Sequence, residues 1–144
     1  MARQVISTPD APLDPRYSQA VKVGNTIYVA GTIGFDVAAG ELAGPTIQEQ
    51  ARQSLLNCQA ILRAAGAELS DVVMVHTLLL RPEDADGVVE VIDEFFPDVR
   101  PPRCVSRIGR ESAPDQPQIL VSNAWLPSRT EPAPTSRTPG RPPR

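Results

Sequence analysis

Histidine and lysine each occur once in the 144 residues, as His76 and Lys22, and cysteine occurs twice, as Cys58 and Cys104. With a single lysine at position 22, a Walker-type phosphate loop is excluded, and a catalytic Schiff base has one candidate. One histidine and two cysteines isolated in sequence do not make up a structural zinc ligand set, so no metal site is expected. A Ser-His-Asp triad would have to be built on His76. No internal repeat is present, and no apolar run approaches the length of a bilayer span. The opening residues Met1–Ile6 contain no secretory run, so a cytoplasmic protein without membrane contact is expected.

Net positive charge is also missing from most of the chain. The formal charge is −3, yet the segment 127–144 carries Arg129, Arg137, Arg141 and Arg144 against Glu131 alone, which leaves the body near −6. An acidic body repels phosphate backbones, so nucleic-acid binding is not expected beyond weak attraction to the tail. From Pro127 onward proline, serine, threonine and arginine dominate and large apolar residues vanish. Such a composition cannot offset its ordering entropy by burial, and a disordered tail over 127–144 is expected after one domain over 1–126.

Within that domain, Tyr17–Val23 and Thr26–Ala30 alternate in character around Gly24-Asn25, which predicts a β-hairpin with a tight turn. Gly31 and Gly34 then interrupt the chain, and 36–44 reads as a loop. Thr46 followed by Glu49 forms a capping-box pattern. The helix it opens carries Ile47, Ala51, Leu55, Cys58, Leu62 and Ala65 on one apolar stripe, with Gly66 as its stop. Cys58 on that stripe is assigned to packing. Val72–Leu80 has strand composition, and Pro82-Glu83-Asp84 opens a second helix to Phe96 whose face is Val88, Val89, Ile92, Phe95 and Phe96, ended by Pro97. Cys104–Ile108 and Gln118–Trp125 complete the order ββ-α-β-α-ββ. This is an α+β two-layer sandwich, a mixed β-sheet with two helices on one face, whose other face must be polar or covered by another subunit.

Several of these segments together resemble the Rid (YjgF-like) family. They are Tyr17-Ser18-Gln19, Tyr28-Val29-Ala30-Gly31, Gln50 through Asn57, Ala64-Ala65-Gly66, Asp71-Val72-Val73, Glu94-Phe95-Phe96 and Pro101-Pro102-Arg103. The resemblance covers about residues 5 to 126. It implies a chorismate-mutase-like homotrimer with small-molecule clefts between subunits and hydrolysis of reactive enamines and imines such as 2-aminoacrylate, without a cofactor. It further implies that Arg103 binds the substrate carboxylate, as a planar guanidinium fork is suited to do; the other reading of Arg103 is a surface ion-pair partner. Tyr17 corresponds to a cleft tyrosine, against a reading as a cross-strand packing aromatic. Gly31, next to Ala30, would let the ligand lie against the backbone, and the amide of Cys104 would adjoin the carboxylate. The Cys104 side chain reads as pocket wall or, less simply, as a thiol activated by the neighbouring arginine. His76 reads as a core or interface residue or a minor catalytic candidate.

The sequence departs from the family pattern in the last strand. Deaminating members carry a glutamate there, whereas this chain reads Ile119-Leu120-Val121-Ser122-Asn123, placing Leu120, or Ser122 with a shift of two, at that position. Ala30 stands where a serine is common and Val89 where a polar residue is common. Glu111 and Asp115 are candidates to replace the acid, against a reading as solvated loop charges. Three functions follow: an imine or enamine deaminase, a diverged enzyme tautomerising or cyclising a specialised metabolite, or a noncatalytic binder of a small carboxylate-bearing molecule.

Overall fold

The computed structural model describes residues 2–107 and 120–122. Strands β1 (Arg3–Ile6), β2 (Ala20–Val23) and β3 (Thr26–Val29) form an antiparallel meander in which Ile6, Ala20 and Val29 share one register row. The expected hairpin turn is present: Val23 pairs with Thr26, and Gly24 takes a φ of 56°, the left-handed conformation that two-residue hairpin turns demand. Ile27 and Val29 are buried while Tyr28 between them is 48% exposed, so the predicted alternation sets one face inward.

The first hairpin strand starts at Ala20 rather than Tyr17. Gln19 is the cause, because its buried amide accepts from the Thr8 backbone N–H at 2.7 Å and donates to the carbonyls of Thr8, Ala11 and Pro12 at 2.9–3.0 Å. Those bonds hold residues 8–19 as an ordered loop and occupy groups that a longer ladder would have used. The lead around Val5 and Ile6 is itself a strand, β1, along the edge of β2.

Between β3 and the first helix, the short strands β4 (Phe35–Asp36) and β5 (Glu41–Leu42) form a second small hairpin within the expected loop. Helix α1 (Ile47–Ala64) begins at the predicted capping box: Thr46 Oγ1 accepts from the Glu49 N–H, and the Glu49 carboxylate accepts from the Thr46 N–H at 3.0 Å. Gly66, at φ 81°, follows its end as predicted.

Helix α1 buries more than its apolar stripe. Gln50, Ser54 and Asn57 are also buried, each bonded to a carbonyl of the preceding loop. Gln50 Nε2 donates to Gly44, Ser54 Oγ to Thr32 at 2.7 Å, and Asn57 Nδ2 to both Ile33 and Phe35 at 2.9–3.0 Å. Every buried side-chain polar atom among the described residues has a partner. Asn57→Ala strips a donor from two loop carbonyls at once. A loss of about 2–3 kcal/mol is expected, since an unsatisfied buried group costs about 1–3 kcal/mol. Urea unfolding should show it as a lower midpoint at unchanged slope.

After α1, β6 (Val75–Leu79) leads into α2 (Ala85–Phe95), which crosses over to β7 (Arg103–Arg107), parallel to β6; β8 (Leu120–Ser122) runs antiparallel on the other side of β6. The inward residues of β6 are Val75, Thr77 and Leu79, and they join Ile27, Val29, Leu55, Ile61, Leu62, Val88 and Ile92 in one buried layer between helices and strands. The α+β two-layer reading, with both helices on one side, therefore holds. The face of α2 differs by one position: Val91 is buried, and Val89 is 38% exposed. Counting from Val88, Val91 and Ile92 complete the three- and four-residue steps, and Val89 falls 100° off that line. Gly87 lets α2 meet α1, because a Cβ there would stand 2.6 Å from Ile47 Cγ2. Arg52 and Glu94 join the two helices on their exposed side at 2.8 Å, a pair worth about 0–1 kcal/mol.

The expected Cys104–Ile108 strand begins one residue earlier, at Arg103, and the expected Gln118–Trp125 strand is described over Leu120–Ser122. Ile108, Glu111, Asp115 and the 127–144 tail lie outside the described residues. No helix among the described residues is long and apolar enough to cross a membrane.

Candidate functional site

Strand β7 presents its residues to two faces. Arg103 pairs in register with the inward-facing Val75, and Cys104 pairs with His76, whose neighbours Val75 and Thr77 point to the core. Period-2 alternation therefore sends Arg103 toward the helices and Cys104 and Ser106 to the open face.

Arg103 reaches α2. Its guanidinium donates to the Asp93 carboxylate at 2.7 Å, with the arginine side chain 23% exposed and the aspartate 62%. One nitrogen meets one oxygen of an exposed acid, a contact that gives about 0–1 kcal/mol. Sequence reasoning did not find Asp93, because nothing in the helical period of α2 separates it from any other surface acid.

On the open face, His76 Nε2 lies 3.0 Å from Ser106 Oγ, and Cys104 Sγ lies 3.8 Å from the same hydroxyl. His76 and Ser106 are half-buried and Cys104 is exposed. Across β6, the backbone register sets Ser122 opposite His76 and Leu120 opposite Leu78. Both positions considered for the family glutamate thus border this face, and β8 carries no carboxylate-bearing residue type. Sequence reasoning did not single out Ser106; only its strand alternation with Cys104 could have suggested it.

Tyr17 and Gly31 lie outside the strands, in the segments before β2 and after β3. Tyr17 lies in the loop before β2, 54% exposed, which sets aside the cross-strand packing reading. Beside it the hydrogen-bonded Arg16 guanidinium holds the Asp14 carboxyl down at about 2. Ala30 continues from β3, its N–H donating to the Gln19 carbonyl at 2.8 Å and its carbonyl accepting from Thr32 Oγ1 at 2.9 Å. Gly31 is half-buried between these anchored residues.

Cys58 is in the core, as its place on the stripe predicted, and burial pushes its thiol up to about 11. Native protein is expected to titrate one thiol rapidly with a disulfide reagent, Cys104, and to release Cys58 only on unfolding. Because the raised value favours the protonated folded state, its stabilisation is complete below pH 9 and is lost as pH rises toward about 11. Thermal melts across that interval should fall in wild type and fall less in Cys58→Ala.

Comparison with known proteins places this arrangement among relatives. The family described as endoribonuclease L-PSP matches residues 8–115. A 2-iminobutanoate/2-iminopropanoate deaminase of Dermatophagoides farinae is 37% identical over 123 residues, covering 84% of this chain and 94% of that one. A RutC family protein of Pyrococcus abyssi is 43% identical over 112 residues, covering 76% and 87%. Among solved structures, RidA from an Antarctic Psychrobacter superposes with a TM-score of 0.75 at 34% identity, covering 87% of this chain and 99% of that chain. E. coli TdcF with bound serine gives 0.72 at 28% identity, covering 84% and 98%. With the helix motif, the Pro-Pro-Arg element and the order of strands and helices all in place, the chain belongs to the endoribonuclease L-PSP family, the Rid (YjgF) proteins.

Proposed function

We propose that this protein is an imine and enamine deaminase that hydrolyses 2-imino acids to 2-keto acids and ammonia without a cofactor, in the cytoplasm. The observation that carries the reading is the state of Arg103. It stands at the head of strand β7, half-buried, and its ion pair is to an exposed aspartate. A substrate carboxylate offering two oxygens to the guanidinium fork makes a stronger, charge-assisted contact than that pair and displaces it. The Cys104 amide follows directly along the strand, and Tyr17 and Gly31 complete the cleft from a neighbouring subunit of a homotrimer. A row of apolar side chains supports that assembly: Val5, Val21 and Tyr28 share one register line on the face of β1–β3 turned away from the helices, with Val5 56% and Tyr28 48% exposed. Relatives at 37–39% identity are named 2-iminobutanoate/2-iminopropanoate deaminases.

A second reading, a diverged enzyme acting on a specialised-metabolite intermediate by tautomerisation or cyclisation, is favoured by one observation: β8 carries Leu120, Val121 and Ser122 with no carboxylate. The test is to generate 2-aminoacrylate from serine with a lyase and follow 2-keto acid release with no protein, wild type and Arg103→Ala. Acceleration by wild type that the variant loses supports deamination. An unchanged rate across several amino-acid-derived imines overturns it in favour of the second reading.

A further inference from the structure

Asp93 meets the guanidinium that the deaminase reading assigns to the substrate carboxylate. Its Oδ1 accepts from Arg103 Nη2 at 2.7 Å, and its side chain is 62% exposed against 23% for the arginine. A carboxylate arriving at the same guanidinium stands about 2.7–2.9 Å from its nitrogens, so the two acids come within about 6 Å of each other. Asp93 then loses its counter-charge but keeps its place, because α2 is anchored by the buried Val88, Val91 and Ile92. Every 2-imino acid carries the carboxylate and the iminium nitrogen, and only the side chain differs from one substrate to the next. That side chain starts on the carbon next to the carboxylate. A stem of about three or four methylenes, as in arginine or lysine, carries a charged head across the gap to Asp93.

The charge around Asp93 is negative. Between Pro82 and Val99 there is no lysine, arginine or histidine. Glu90, three residues before Asp93 on the same side of α2, is exposed. Arg52 of α1 is engaged by Glu94 at 2.8 Å. Arg100 is exposed on the segment that leads into β7, and Arg103 is neutralised by the substrate carboxylate itself.

We propose that Asp93 is a specificity residue that favours 2-imino acids with a cationic side chain and disfavours those with a second carboxylate. The inference rests on the deaminase reading and adds the substrate class to it. With a neutral side chain, Asp93 only competes with the substrate for Arg103. A guanidinium or ammonium on the substrate replaces the cation that Asp93 gives up, so one ion pair is exchanged for two. A second carboxylate instead meets a like charge, which is how a site selects by repulsion as well as attraction. Because Asp93 is exposed, each effect has the size of a surface ion pair, about three- to fivefold in affinity at low salt.

The test compares substrates of matched shape and different charge. An amino-acid oxidase with catalase generates the imines of arginine and citrulline, and of glutamate and glutamine. Release of 2-keto acid above the no-protein rate gives kcat and KM for wild type, Asp93→Asn and Asp93→Glu. Wild type should favour the arginine imine over the citrulline imine, and the glutamine imine over the glutamate imine, each by about three- to fivefold and through KM. Both ratios should approach one in Asp93→Asn and persist in Asp93→Glu, which keeps the charge. Salt at about 1 M, where screening acts within about 3 Å, should also flatten them in wild type. Wild type that hydrolyses all four imines without charge preference overturns the inference and leaves the deaminase reading standing. So does an Asp93→Asn protein that loses activity on all four alike, in step with its melting temperature, since a structural role cannot tell arginine from citrulline. Wild type inactive on every imine, neutral ones included, removes the deaminase reading itself, and this inference with it.

Discussion

Gly34→Ala is expected to destabilise the protein by about 3 kcal/mol or more, at the upper end of what overpacking costs. A Cβ at residue 34 would stand 2.3 Å from the Gln50 carbonyl oxygen and 2.6 Å from the Gln50 Cα, both backbone atoms of α1. A side chain can rotate out of such a contact, but helix backbone moves only as a unit. Displacing it would also stretch the bonds from Ser54 to Thr32 and from Asn57 to Ile33 and Phe35, which anchor the loop on either side of Gly34. Gly40 is a useful control. It has φ 75° and nothing within 4 Å of its missing Cβ, so alanine there meets only the left-handed backbone penalty of about 1–2 kcal/mol. Urea titration of both variants checks the order, and a Gly34→Ala midpoint equal to or above that of Gly40→Ala would contradict this account.

This contrast explains which parts of the architecture could be read in advance. Local chemistry was legible: the Thr46–Glu49 capping box, the Gly24 turn and the Gly66 stop each depend on residues within a few positions of one another, and all three are present. The apolar stripe of α1 was legible because it repeats with the helix. Gln50, Ser54 and Asn57 were not, since a polar residue on a helix looks the same in sequence whether it faces water or a loop carbonyl, which comes from 6 residues back for Gln50 and from 22 to 24 residues back for Ser54 and Asn57. Gln19 illustrates the same limit, as its four partners on residues 8–12 shortened a strand that alternation alone extends to Tyr17.

The candidate site divides along the same line. Arg103 was singled out through the Pro-Pro-Arg motif; that the Cys104 side chain turns to the opposite face emerges only from the strand register. The partners were invisible: Asp93 meets Arg103 through the packing of α2 beside β7, and Ser106 meets His76 through a parallel register that needs the whole crossover to be set. Parallel strands are joined by long connections, so no short-range signal fixes which residue stands opposite which. Position 122 entered the sequence reading only as a register alternative. The register between β8 and β6 gives that alternative meaning, because it puts Ser122 directly opposite His76.

Arg103→Ala is expected to lower kcat/KM for 2-imino acids by roughly thirtyfold to several thousandfold, the range of about 2–5 kcal/mol for removing one member of a hydrogen-bonded charge pair. The fold should survive, because the lost intramolecular contact is a single bond to an exposed aspartate. Arg103→Lys should fall between: it keeps a positive charge but replaces the planar fork with a point charge, losing the two-oxygen geometry that orients the imine carbon toward water. Asp93 supplies the complementary experiment. Because its carboxylate occupies the guanidinium that the substrate must engage, Asp93→Asn should lower KM by up to about fivefold, the equivalent of a surface pair of about 1 kcal/mol, and leave kcat unchanged. Steady-state kinetics on the four proteins distinguishes anchoring from scaffolding. If Arg103 anchors the substrate, Ala and Asn substitutions shift the kinetics in opposite directions. If the Arg103–Asp93 pair merely ties β7 to α2, both variants lose activity together in proportion to a lowered melting temperature, and the carboxylate anchor must be sought elsewhere.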